Sequence, residues 1–518
     1  MNITIYDTTL RDGTQGEGMS LSLDDKLKLA KRLDQFGVHY IEGGWPGSNP
    51  KDLNFFQEVK KLKLKFAKVA AFGSTRRPNT NVRDDGNLAK LLEADTSVVT
   101  IFGKTWDFHV KEVLKTSGEE NLKMIFESVA YLKNKNLEVI YDAEHFFDGY
   151  KANPKYALET LKAAARGGAE YLVLCDTNGG TLPTEVAKII GEIRKAVKTP
   201  LGIHCHNDCN LGVANSVAAI QAGAAQVQGT INGYGERCGN ANLTSVIPVL
   251  ALKMKIPVVS TKKLAELTDL SRYVAEVCNM PLERNQAFVG KSAFAHKGGV
   301  HVNAMVKNAR TYEHIEPALV GNATRFLVSE LSGRTNVLIK AKELALNLDK
   351  DTPETRKILE QVMELEGQGY QFEAAEASFE LLMRRMTGKE KKFFELLDCN
   401  VLNEKIGDGR VTSHANVRVK VSGKEKQAKA EGQGPVDALY KALHEALVSN
   451  FPALANIHLV DYKVRVINES AGTAARVRVF ISFQDEKDAW TTVGVSENII
   501  EASWHALVEA IEYKLLKL

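Results

Sequence analysis

His204 and His206, in the run L-G-I-H-C-H-N-D, follow a strand-like segment with one residue between them. Successive side chains on a strand alternate faces, so both imidazoles point one way while Cys205 points the other, and together they can grip one metal ion. Two further polar loops add to them. D-T-T-L-R-D-G-T-Q, Asp7 to Gln15, offers the Asp12 carboxylate and the Arg11 guanidinium beside another strand end, and G-E-R-C-G-N runs from Gly235 to Asn240. Asp12, His204 and His206 supply one hard oxygen and two imidazoles, and Asn240 can add an amide oxygen, which leaves open positions on a six-coordinate ion for a substrate. The set suits Mg2+ or Mn2+ and does not exclude Zn2+. Each histidine alone is ordinarily a structural residue; gathered at strand ends, they favour the ligand reading.

Arg11, beside Asp12, can stabilise negative charge on a carbonyl oxygen under attack; the plainer alternative is a salt bridge with a carboxylate of the sheet. Glu144, in Y-D-A-E-H-F-F-D-G, lies just past a strand and reads equally as a general base, the orienter of one, or half of a structural ion pair. Thr177, in C-D-T-N-G-G-T-L-P, stands where hydroxyl and backbone N–H groups can hold a carboxylate, or serves as a cap. His301, in the glycine-rich run A-H-K-G-G-V-H, is either a proton shuttle on an arm or a surface group.

Three such loops converge most readily at one end of a parallel sheet. The first 255 or so residues alternate strand-like runs with amphipathic helical stretches, in eight rounds. The strand candidates are Ile3 to Tyr6, Tyr40 to Gly43, Lys68 to Phe72, Val98 to Phe102, Glu138 to Asp142, Tyr171 to Cys175, Leu201 to His204 and Gln226 to Thr230. A helix is expected over Leu23 to Phe36, opened by Ser22 with Asp25 as a capping box and closed by Gly37, and another over Pro183 to Val197. Eight rounds in this length predict an α/β fold, the TIM (β/α)8 barrel, whose chemistry sits in loops after the strand C-termini. A doubly wound sheet competes, but D-G-T-Q-G at Asp12 to Gly16 lacks the G-x-G-x-x-G spacing such a sheet needs.

The chain has 518 residues, 44% apolar and 25% charged, with a net charge of +3, which predicts two or three soluble globular units. Interspersed charge speaks against nucleic acid, and no apolar run is long enough to suggest a membrane span. The start M-N-I-T-I-Y-D enters structure without a signal-like segment, and the six cysteines lack framework spacing, so reduced thiols and a cytoplasmic location are expected.

The expected division is a catalytic barrel over 1–260, a helical linker arm over 261–393 with a long helical run from Lys350 to Arg385, and a third unit over 394–518. That last unit repeats itself: D-A-L-Y-K-A-L-H-E-A-L at Asp437 to Leu447 matches E-A-S-W-H-A-L-V-E-A-I at Glu501 to Ile511. Strand-like segments precede each copy, His414 to Val421, then Tyr462 to Ile467 and Arg476 to Phe483. Two similar α+β modules follow from this, suited to ligand sensing at their seam or to dimer packing.

Five motifs in order, D-T-T-L-R-D-G-T-Q, G-I-H-C-H-N-D, G-E-R-C-G-N-A-N, A-H-K-G-G-V-H-V-N-A and G-Q-G-P-V-D-A-L-Y-K-A-L, make the chain resemble the alpha-isopropylmalate, homocitrate and citramalate synthase family over nearly its whole length. The resemblance implies a metal-dependent acyltransferase that condenses acetyl-CoA with a 2-oxo acid, and a C-terminal regulatory domain binding an amino-acid effector, isoleucine or leucine. It places metal ligands at Asp12, His204 and His206 with Asn240 in support, a carbonyl-polarising role at Arg11, carboxylate binding at Thr177 and a catalytic glutamate at Glu144. It also implies that His301 enters the neighbouring subunit's site in a homodimer, with Tyr312 assisting. Isopropylmalate synthases usually read G-I-H-Q-D-G around the arm histidine, where this chain reads G-V-H-V-N-A. With G-G-W-P-G-S-N-P-K-D at Gly43 to Asp52 and F-G-S-T-R-R-P at Phe72 to Pro78, it looks closer to the citramalate-forming branch that takes pyruvate than to the branches taking larger 2-oxo acids. Two rivals remain: a lyase or carboxyltransferase running related chemistry in reverse, which need not carry the C-terminal modules, and an amino-acid sensor on a disused barrel, which has no reason to keep Arg11, Asp12, Glu144, His204 and His206.

Overall fold

The computed structural model describes residues 3–327, 334–344, 346, 353–405, 407, 409, 411–467, 472 and 474–518. They divide into two compact units, Met1–Phe294 with Glu313–Thr324, and Ala295–Tyr312 with Arg325–Leu518. Among the described residues no helix is long and apolar enough to cross a membrane.

The first unit is a closed barrel of eight parallel strands in sequence order: β1 Thr4–Asp7, β2 Tyr40–Gly44, β3 Lys68–Ser74, β4 Val98–Lys104, β5 Glu138–Glu144, β6 Tyr171–Asp176, β7 Leu201–Cys205 and β8 Gln226–Gly229. β1 closes onto β8 with Thr4 opposite Gln226 and Asp7 opposite Gly229. Alternation along each strand sorts the side chains. Inside, Tyr6, Tyr40, Ala70, Val98, Ile140, Val173 and Cys175 pack as a filled core. Outside, Ile5, Ile41, Val99, Val139, Leu172, Ile203, Cys205 and Val227 pack against the helical ring. The helix Leu23–Phe36 has its capping box, with Ser22 Oγ accepting from the Asp25 N–H and Asp25 accepting from the Ser22 N–H, and ends on Gly37 at φ 97°. Such a cap contributes about 1 kcal/mol. The helix Pro183–Ala196 opens on proline.

The second unit begins with β9 Ala295–His296 and the helix Gly299–Lys307, and resumes with β10 Arg325–Phe326 pairing with β9. Of the run expected to be helical from Lys350 to Arg385, Lys350 to Thr352 lies outside the described residues, and the rest holds two α-helices, Pro353–Gly367 and Glu376–Met386, joined through a short 3-10 turn at Phe372–Ala374. Gly369 breaks the run: its φ is 109°, and a Cβ there would meet Ile467 Cδ1 at 2.3 Å. Beyond come β11 Glu395–Lys405, β12 Val411–Val421 and β13 Lys424–Gly432 as one antiparallel sheet, followed by the helix Pro435–Val448. β14 His458–Val466, β15 Val477–Gln484 and β16 Ala489–Ser496 form a second such sheet, followed by the helix Ile499–Leu516. Val417, Leu439, Leu443, Ile481, Phe483, Leu507 and Ile511 share one core, so the two modules are packed on each other.

Candidate active site at the barrel mouth

The C-terminal ends of β1 to β7 and the loop after β8 surround a cavity of about 220 Å3 lined by Arg11, Asp12, Gln15, Trp45, Phe72, Phe102, Asp142, Glu144, Cys175, Thr177, His204, His206 and Glu236. The strand alternation accounts for the histidines: His204 faces the barrel interior and Cys205 the outer core. Asp12, His204 and His206 are all buried, and each offers a ligand atom within 4.8 Å of the others. His204 Nε2 lies 3.4 Å and His206 Nε2 3.9 Å from Asp12 Oδ2. Asp12 Oδ1, His206 Nδ1 and Asn240 Oδ1 are buried without a hydrogen-bond partner. The orphaned oxygens of Asp12 and Asn240, together with the imidazoles of His204 and His206, make a donor set that fits a divalent cation.

Electrostatics keep the set in ligand form. Burial alone would raise the Asp12 carboxyl, but Arg11 and the two imidazoles hold it below the ordinary carboxylate range. Burial pushes His204 down against the pull of Asp12, and burial with its neighbour His204 pushes His206 down to about 4. Near neutrality the site therefore presents a carboxylate and two neutral rings. Asn240 pairs with His206 in an isolated β-bridge, and its Nδ2 donates to the Tyr234 carbonyl 3.2 Å away. The loop needs Gly235 for this, because at φ 153° a Cβ would sit 2.2 Å from Asn240 Nδ2.

Arg11 is anchored by a carboxylate that reading the sequence did not single out. Glu42, fully buried on β2, accepts from Tyr6 Oη at 2.7 Å, from Thr8 Oγ1 and from Arg11 Nε at 2.7 Å. Burial would lower the guanidinium, but Glu42 and Asp12 keep it above its ordinary value, and it stays charged. Its central carbon stands 3.8 Å over the Phe72 ring. Phe72 stacks on Phe102 with centroids 5.5 Å apart, and Trp45 sets its edge against both at 5.8 and 5.6 Å. Trp45 Nε1 donates to Asn87 Oδ1 at 2.8 Å, which fixes this aromatic wall in place.

Glu144 is the last residue of β5, on the cavity wall, and forms an ion pair with Lys104 at the end of β4. Thr177 follows β6, and its Oγ1 accepts from the His145 backbone N–H at 2.9 Å, leaving the hydroxyl proton free to donate. The structure thus gathers Arg11, Asp12, Glu144, Thr177, His204 and His206 on one cavity, with Asn240 at its edge. His301 and Tyr312 belong to the second unit, where their rings stack with centroids 4.2 Å apart.

Comparison with known proteins agrees with this architecture. The HMGL-like family matches residues 2–274, the family described as homocitrate synthase post-HMGL domain-like matches 288–369, and the LeuA allosteric (dimerisation) domain matches 373–515. The chain is 56% identical to an (R)-citramalate synthase of Geobacter sulfurreducens, over 99% of this chain and 98% of that one, and 56% identical to an (R)-citramalate synthase of Aquifex aeolicus with the same coverage. Likeness to a probable 2-isopropylmalate synthase of Methanopyrus kandleri is lower, 33% identity over 98% of this chain and 97% of that one. With more than half of its residues shared along nearly its whole length, the chain belongs to the (R)-citramalate synthase family.

Proposed function

We propose that the chain condenses pyruvate with acetyl-CoA to give (R)-citramalate and CoA, the entry to a pyruvate route towards isoleucine. One observation carries the mechanism: a charged guanidinium, a carboxylate and two neutral imidazoles converge on a cavity of about 220 Å3 that is also lined by Trp45, Phe72 and Phe102. A divalent cation, held by Asp12, His204 and His206 with Asn240 beside them, would supply Lewis-acid polarisation of the keto group. Arg11, held by Glu42, donates to the keto oxygen and stabilises the charge that grows there. Thr177 donates its hydroxyl to the pyruvate carboxylate. Trp45, Phe72 and Phe102 enclose the methyl group and exclude larger 2-oxo acids.

The methyl proton of acetyl-CoA passes to a base, assigned to His301 and oriented by Glu144, with Tyr312 stacked on the imidazole. The resulting enolate carbon bonds to the keto carbon, the keto oxygen takes up a proton, and hydrolysis of the thioester releases CoA and renders the condensation irreversible. In this reading 1–260 is the catalytic barrel, 261–393 the arm that carries His301, and 394–518 the regulatory and dimerising part, responding to isoleucine or leucine. Thiol release from acetyl-CoA tests it. With Mg2+ or Mn2+ present, pyruvate should support turnover and 2-oxoisovalerate and 2-oxoglutarate should not; equal rates with 2-oxoisovalerate would refute the choice of substrate.

A further inference from the structure

We infer that Gln228 is a positioning residue for this site: its side-chain amide joins Asp142 to His204 and fixes which ring nitrogen of His204 faces the cation. The inference rests on the metal reading above. In the barrel register Gln228 of β8 lies between Tyr6 of β1 and His204 of β7, on the same inward face. It is fully buried. Its Nε2 donates to Asp142 Oδ1 at 3.0 Å, and its Oε1 lies 3.1 Å from His204 Nδ1.

An amide has one accepting end and one donating end. With the donating end spent on Asp142, the end left for His204 accepts, so Nδ1 carries the ring's proton. A neutral imidazole has a single N–H, and its Nε2 is therefore a bare lone pair, the atom that stands 3.4 Å from Asp12 Oδ2 in the ligand group. The reversed amide would place the N–H on Nε2 and close that position to a cation. His206 has no such partner, since its Nδ1 is buried and unbonded. The two ring ligands are thus unequal, with only His204 set in advance by a side chain.

The test uses the full-length protein without substrates, titrated with Mn2+ while free Mn2+ is read by electron paramagnetic resonance. Gln228→Leu keeps the bulk of the side chain and removes the acceptor; Gln228→Glu keeps an acceptor facing Nδ1. We expect Gln228→Leu to weaken Mn2+ binding about 10- to 100-fold and Gln228→Glu to stay within about threefold of the parent. In Zn2+-loaded protein with 15N-labelled histidine, a hydrogen-bonded Nδ1–H should be present in the parent and in Gln228→Glu and lost in Gln228→Leu. Parent-like Mn2+ binding by a folded Gln228→Leu, or failure of Gln228→Glu to restore it, would overturn the role of Gln228 and leave the metal site standing. Should Gln228→Leu not fold, the parent spectrum decides, because a proton on Nε2 of His204 overturns the inference. A parent that binds no Mn2+ sinks both this inference and the metal reading.

Discussion

Arg11 reaches the cavity with its Nε–H already bonded to Glu42, 2.7 Å away, so only the outer nitrogens of the guanidinium remain for a substrate. Glu42 accepts from three donors at once, and a neutral amide cannot. Glu42→Gln can keep its oxygen on Thr8 and Arg11, which share Oε2, by turning its N–H to the Tyr6 hydroxyl, but it removes the negative charge that holds the guanidinium. The expected outcome is a fall in kcat of up to about 100-fold, with Mn2+ binding unchanged, measured by thiol release and metal titration. A variant with parental kcat would show that Glu42 does not aim Arg11.

Much of this site was legible because inward side chains at strand ends follow from a period of two. His204, His206 and Asp12 announced themselves by type and spacing, and each barrel strand was placed to within a residue or two, running slightly further at the C-terminal ends of β3, β4 and β5. Glu42 and Gln228 left fainter signals, a carboxylate inside Y-I-E-G-G and an alternating pair in Q-V-Q-G, which only a bonded partner across the barrel turns into roles. The C-terminal strands were harder. β11 is mostly exposed, and β13, K-E-K-Q-A-K-A-E-G, alternates charge with small residues, so neither shows the apolar alternation of a half-buried strand. Gly367 and Gly369 did mark the break in the run read as one helix, and Gly369 is the residue that enforces it.

In the proposed reading the aromatic wall is what limits substrate size. Phe102 stacks on Phe72 and meets the edge of Trp45, whereas Phe72 also carries the Arg11 guanidinium, so Phe102 is the side chain whose removal enlarges the cavity with least disturbance to Arg11. Phe102→Ala should raise kcat/KM for 2-oxobutyrate relative to pyruvate by about tenfold or more, read from competing-substrate assays. An unchanged ratio would place the acyl pocket elsewhere.

Asp7 ties folding to pH. Burial raises its carboxyl to about 7, against the lowering effect of hydrogen bonds from the Thr9 backbone and hydroxyl. The unfolded chain releases this proton near pH 4, so protonated Asp7 contributes stability that is present below that pH and lost as pH rises through 7. The loss amounts to at most about 4 kcal/mol. Asp7→Asn, which cannot ionise, should gain stability relative to the parent across that window in urea unfolding at successive pH values. Parallel curves for the two proteins would assign the burial cost to another group.

His301 and Tyr312 stack in the second unit, whose residues 373–515 match a dimerisation domain, while Arg11 sits in the barrel. If the arm serves the neighbouring subunit, each active site takes Arg11 from one chain and His301 from the other. Arg11→Ala and His301→Ala are then each inactive alone, but a heterodimer of the two has one site with both residues intact. Random exchange of equal amounts makes half of the dimers mixed, each with one working site of two, so about a quarter of parental turnover should return. Differently tagged chains let mixed dimers be isolated and their thiol release measured. Inactive mixed dimers would show that His301 serves its own chain, turnover of His301→Ala alone would remove it from proton transfer, and turnover of Arg11→Ala alone would remove the guanidinium from the chemistry.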